Sequence, residues 1–148
     1  MLCRLIPPAW LTNKPILEGD YSNAQIIKFN SEGYNAYYWP NSPGLEYTHP
    51  INGSHITDFK CVFVDFDLKD KVYATKEDFY EFVSGFPLAP SKIVDSGNGV
   101  HVYWDISNLD AMSYLRFQRR LCRHFNTDEA VGKVCQLMRI PGTLNTKI

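Results

Sequence analysis

Long apolar runs are absent from this 148-residue chain. Nothing approaches the ~18 consecutive apolar residues that a membrane-spanning helix needs, so no membrane is expected among its partners. Cysteine is scarce, with four residues at Cys3, Cys61, Cys122 and Cys135. No two are spaced as in a zinc knuckle, and the expectation is free thiols in a reducing, cytoplasmic compartment. Internal repeats and low-complexity tracts are missing too, which excludes solenoids and arrays and leaves one domain over residues 1–148. The first ten residues hold a single Arg and a short apolar stretch broken by Pro7-Pro8, unlike a secretory signal. A net charge of −1 excludes a uniformly basic or acidic protein.

The charge is unevenly placed. Seven of the fifteen basic residues, but only two of the sixteen acids, fall in residues 111–148. Such an end suits an anionic partner, although a solvated helix face would look the same. Residues 1–20 are rich in proline and are expected to be irregular or a short helical lead-in. Ser22 or Asn23 can cap a short helix through Phe29, with a strand as the alternative. An aromatic strand is expected over 34–39, and a central strand covered on both faces over 60–68. Thr75, with Asp78 three residues on, starts a helix to about Ser84. Strands over 91–96 and 100–106 flank a Gly97-Asn98-Gly99 turn. Asp110 caps a helix over 111–125, and 137–140 reads as a last short strand. This is the pattern of an α+β fold with a mixed, largely antiparallel sheet and helices on one face.

Three constellations carry chemistry. Asp65 and Asp67 stand two apart on the most apolar strand, so both project from one face. Side by side and partly desolvated they repel each other, and a divalent cation relieves both problems; all-oxygen ligands favour Mg²⁺ or Mn²⁺. A strand that ends early, with both acids solvated, is the plainer account. The second constellation is Ser96-Gly97-Asn98-Gly99-Val100-His101. Its glycines permit a tight turn whose N–H groups can hold phosphate, and His101 at its mouth can donate to one. It lacks the Gly-Lys-Ser/Thr end of a Walker loop. The third is Arg139-Ile140-Pro141-Gly142-Thr143-Leu144-Asn145-Thr146-Lys147, a strand end, a Pro-Gly turn and a polar loop.

Taken in order, these three segments resemble the motifs of the archaeo-eukaryotic primase superfamily, in particular the primase-polymerase catalytic domains of phage and plasmid replication proteins. The stretch 29–41 also resembles the strand that precedes the acidic motif there, so the likeness covers most of residues 25–147. It implies an RRM-like catalytic sheet flanked by an N-terminal α/β module. It further implies template-directed nucleotidyl transfer from nucleoside triphosphates to a 3′-hydroxyl, with single-stranded DNA as template. Asp65, Asp67 and a third acid would hold two divalent ions. Asp128 is the choice for the third, with Glu129 nearby; many relatives carry another acid slightly later, where this chain has Gly132-Lys133. Ser96, Gly97, Asn98, Gly99, His101, Arg139 and Lys147 would serve the nucleotide. Arg116, Arg119, Arg120 and Arg123, related by i, i+3 and i+4 steps, would follow template phosphates. In relatives a helical primase domain, often with a helicase, follows the tail, which implies a longer replication protein. Other readings remain open. An Asp-x-Asp glycosyltransferase accounts for the acid pair but not for the His hairpin or the tail, and a non-catalytic single-stranded nucleic-acid-binding module, which needs aromatics exposed on the sheet face, gives no reason for the paired acids. A rolling-circle nicking enzyme wants a His-x-His pair, which is missing.

Overall fold

The computed structural model describes residues 1–146. Its nine strands and three α-helices form an α+β fold in which every strand pairing among the described residues is antiparallel. Lys147 lies outside the described residues. Among those described, no helix is long and apolar enough to cross a membrane.

The first twenty residues depart from expectation. They form two strands, β1 (Leu2–Ile6) and β2 (Leu17–Asp20). Cys3 and Leu5 alternate inward with no exposure, a period-2 signal that Pro7-Pro8 cuts short. Helix α1 (Asn23–Ser31) starts at Ser22, whose hydroxyl accepts from Gln25 N–H while the Gln25 side chain accepts from Ser22 N–H. This reciprocal capping box decides for helix over strand. With β3 (Asn35–Tyr38) the N-terminal module is complete, except that β9 (Met138–Arg139) closes it from the far end of the chain, in the order β2-β1-β3-β9. A small hairpin of β4 (Ser42–Pro43) and β5 (Ile56–Asp58) leads to the second sheet.

That sheet is β6 (Cys61–Asp67), β7 (Lys92–Asp95) and β8 (Gly99–Asp105) in the order β6-β8-β7. The strand expected at the centre, β6, is thus an outer one, and β8 is central. Apolarity misled because both faces of β6 are covered although one edge has no strand beside it. Two side-chain amides take that edge instead. Asn41 accepts from Cys61 N–H (3.0 Å) and donates to Cys61 C=O (3.1 Å). Gln118 accepts from Phe63 N–H (3.0 Å) and donates to Phe63 C=O. Both amides are buried, and each supplies the donor and acceptor that a neighbouring strand would otherwise provide.

Alternation sorts the sheet into two faces. Val62, Val64, Phe66, Val100, Val102 and Trp104 point to one side. Helices α2 (Lys76–Ser84) and α3 (Ala111–Phe125) cover it, with Phe66 stacked on Phe79 (4.6 Å) and Trp104 on Phe125 (5.5 Å). Each such fully buried aromatic contributes roughly 1.5–3 kcal/mol. Both helices begin as expected, α2 with the Thr75/Asp78 capping box and α3 with Asp110 accepting from Ser113 N–H. The other face carries Asp65, Asp67, His101, Tyr103 and Lys92.

Candidate active site

Asp65 and His101 are cross-strand partners, with Nε2 3.4 Å from Oδ1. Burial first and Asp67 second push Asp65 up to about 6; Asp128 and Asp70 add to this and Lys69 opposes it. Asp67 goes the other way. Its partial burial is outweighed by the Lys69 N–H (3.0 Å) and the Lys69 ammonium (2.9 Å), which leave it below the usual carboxylate range. Burial, with Arg139 and Lys92 nearby, pulls His101 down to about 4. Its Nδ1 is buried and has no hydrogen-bond partner among the described residues.

The turn between β7 and β8 is held from three sides. Lys76, the first residue of α2, donates to Asp95 Oδ1 and to Gly97 C=O, both at 2.7 Å. Gly97 N–H also donates to Asp95 Oδ1 (2.8 Å), and Leu68 N–H, just past Asp67, donates to Asn98 C=O (3.0 Å). Gly97 has φ +90°, the left-handed region that favours glycine. Gly99 is needed for another reason: a Cβ there would lie 1.8 Å from the carbonyl oxygen of Phe66.

The tail folds back over this turn. Arg139 donates to Asn35 Oδ1 (3.1 Å) and Leu144 C=O (3.3 Å), and its guanidinium lies 5.3 Å from the Tyr37 ring centroid. Asn30 repeats the amide device of β6, accepting from Leu144 N–H (2.8 Å) and donating to Leu144 C=O (3.0 Å). Thr146 donates through its N–H to Asn35 Oδ1 and through its hydroxyl to Gly33 C=O. The result is a cavity of about 490 Å³ lined by Ser96, Gly97, Asn98, His101, Arg139 and residues 140–145. The second and third motifs therefore share one hollow, and Asp65 joins it through His101. Gly99 lies beneath, buried against β6.

Other expected residues stand apart. Asp128 acts on Asp65 through charge, but it is exposed and its Oδ1 accepts from Ala130 N–H (2.8 Å), capping a short 3-10 turn. Glu129 is engaged by Arg123 in two hydrogen bonds, at 3.0 and 3.2 Å. Arg116, Arg119, Arg120 and Arg123 are exposed on the outer side of α3, the helix that covers the opposite face of the sheet from Asp65. Sequence reasoning missed Lys76, Asn30, Asn35 and Tyr37, which hold the turn and tail. Their partners are distant in sequence, and no local pattern marks them.

Asp65 and Asp67 suit a hard divalent cation: two oxygen ligands on one face, one of them held up near 6 by burial and its neighbour. Among the described residues no group of three His, Cys, Asp or Glu side chains is close enough together to hold a metal. A pair of carboxylates could supply only part of a coordination shell, the rest being left to substrate phosphate and water.

Comparison of the sequence with models of known families and with curated proteins returns no match. Solved structures do match. The AEP domain of the cyanophage S-2L primase-polymerase superposes with a TM-score of 0.74 at 21% identity, over 98% of this chain and 74% of that one. Primase RepB′ gives 0.64 at 15% identity, over 98% of this chain and 45% of that one. The catalytic domain of RepB′ in complex with initiator DNA gives 0.55 at 17% identity, over 98% and 69%. The chain has the fold of the archaeo-eukaryotic primase-type catalytic domain.

Proposed function

We propose that this domain is a primase-polymerase, which joins nucleoside triphosphates to a 3′-hydroxyl under the direction of a single-stranded DNA template. The observation that carries this reading is the shared hollow. A glycine turn, a histidine and an arginine surround a cavity sized for a nucleotide, and the histidine leans on one of two same-face carboxylates. Asp65 and Asp67 would hold Mg²⁺ or Mn²⁺, with Asp128 as the further acid; the ion would acidify the attacking hydroxyl and offset the charge of the triphosphate.

The chain's own residues position and neutralise. His101 is uncharged near neutrality, so it meets phosphate as a single N–H donor. The turn of residues 96–98 lines the same hollow, its shape fixed by Ser96 N–H on Gly99 C=O, Gly97 N–H on Asp95 Oδ1 and the Lys76 ammonium. Arg139, fixed by Asn35 and stacked on Tyr37, offers a planar cation whose remaining donors suit phosphate oxygens. Holding charges in place before reaction is the main contribution a protein makes to phosphoryl transfer.

The test is extension of a primed single-stranded template with a labelled nucleoside triphosphate and Mn²⁺. The wild-type protein should incorporate label, and Asp67→Asn should lose activity by at least a hundredfold while keeping its fold. Incorporation by Asp67→Asn at a rate near wild type would overturn the reading, as would a wild-type protein that binds nucleotide and DNA but joins nothing.

A further inference from the structure

A nucleic-acid strand serving the carboxylates has to pass along the face on which they stand. The arginines of α3 lie behind the opposite face, and Arg123 is already occupied by Glu129. The face bearing Asp65, in contrast, continues past His101 to Tyr103 and its cross-strand partner Lys92, two residues or about 7 Å further along β8. Two more hollows open there. One, of about 340 Å³, is lined by Tyr38, Lys60, Cys61, Lys92, Tyr103 and Asp105. The other, of about 450 Å³, meets it at Tyr38 and Lys92 and shares residues 140–143 with the nucleotide-sized cavity. Neighbouring hollows thus share wall residues, and Lys92 belongs to two of them.

Lys92 is held in a way that leaves its charge available. Its ammonium lies 4.3 Å from the Tyr103 ring centroid and donates to Tyr38 Oη at 3.2 Å. Among the described residues no carboxylate lies within ion-pairing distance of it. Aromatic faces hold a cation without neutralising it. Lys60, at the far end, pairs among the described residues only with Asp58, at 3.3 Å, and both side chains are more than half exposed, so that pair exchanges cheaply for phosphate. Asp105 puts a negative charge beside Lys60 and bounds the cationic stretch.

Building on the primase-polymerase reading, we propose that single-stranded DNA runs along this track, its backbone on Lys92 and Lys60 and its bases against Tyr38, and not across the arginines of α3. Backbone charge contacts beside an aromatic platform are the usual means of holding a single strand without regard to sequence.

Two double variants, Lys60→Gln/Lys92→Gln and Arg116→Gln/Arg120→Gln, separate the two surfaces. Binding of a fluorescein-labelled oligothymidylate is followed by anisotropy over a range of salt. The lysine pair should weaken binding several-fold and flatten the salt dependence by up to about two phosphate contacts, more than the arginine pair does. Lys92→Arg, which keeps the charge, should retain the wild-type slope and guards against misreading a folding defect. An equal or larger loss of slope in the arginine variant would overturn the path, as would a wild-type slope in the lysine variant or no binding by the wild-type protein. DNA binding that follows this pattern in a protein that transfers no nucleotide would leave the path standing and remove the proposed activity.

Discussion

Asp65 and His101 face each other at 3.4 Å across β6 and β8, yet they do not form an ion pair. The carboxyl titrates near 6 and the imidazolium near 4, so where Asp65 is charged His101 is neutral, and where His101 is charged Asp65 is protonated. The contact is a meeting of two desolvated groups, which costs stability and leaves both in forms suited to a cation and a phosphate.

One consequence is a pH-dependent cost in the metal-free protein. Asp65 moves from an ordinary value of 3.8 to about 6 on folding, so between those values the folded state binds more protons than the unfolded one. Stability from this group is therefore present at low pH and lost as pH rises through about 6. Asp65→Asn should stabilise the protein by about 1–2 kcal/mol near neutrality, after allowing for the one-third exposure of the carboxylate. Near pH ~4 it should change little. Urea unfolding in chelator at both pH values checks this, and a gain that is the same at both would contradict it.

A second consequence concerns His101. As a neutral donor it should add no pH dependence of its own to nucleotide affinity between about pH 6 and 8, so wild type and His101→Ala should show parallel profiles there, without the loss through that range that an imidazolium would give. His101→Ala should weaken nucleotide binding by about tenfold or more, the usual cost of losing a hydrogen bond to a charged group, and weaken DNA binding much less. Titration calorimetry with each ligand measures the split; equal losses would mean that His101 serves the fold.

The amide of Gln118 makes a third prediction. Gln118→Leu keeps the volume but leaves Phe63 N–H and C=O buried without partners. The cost should be about 2–4 kcal/mol in urea unfolding, far above that of an exposed change on the same helix.

The two turn glycines should respond differently to alanine. At Gly99 the new Cβ would lie 1.8 Å from Phe66 O, which forces β6 and β8 apart, so the variant should be destabilised by more than ~3 kcal/mol or fail to fold. A Cβ on Gly97 would meet no atom of the described residues within 4 Å apart from its chain neighbours, and only the positive φ is penalised, at about 1 kcal/mol. Thermal unfolding of the two variants gives the comparison.

Much of this was legible in the sequence because it was local. The caps at Ser22, Thr75 and Asp110 start their helices through contacts within three residues, and the spacing of Asp65 and Asp67 fixes their shared face. What failed was long-range. That β6 is an outer strand follows from amides 20 and 55 residues away, and a buried edge satisfied by side chains leaves no mark on the strand's own composition. The arginines of α3 form the expected stripe, but periodicity within a helix says nothing about which face of the sheet it covers. β1 was missed because its five residues stop at a proline pair.

Because β6 has its outer edge closed by Asn41 and Gln118, the strand is protected only once the chain reaches the middle of α3. Asn41 precedes it, but Gln118 arrives some fifty residues later on the ribosome. Until then Phe63 offers an unpaired N–H and C=O within Cys-Val-Phe-Val-Asp-Phe, a segment rich in strand-forming residues and poor in charge. Any product ending before α3 exposes this segment as a template for other copies of itself. Expression trials that shorten the domain from its C-terminal side should therefore meet an abrupt solubility limit at the middle of that helix, after the tail that shapes the cavity has already been removed.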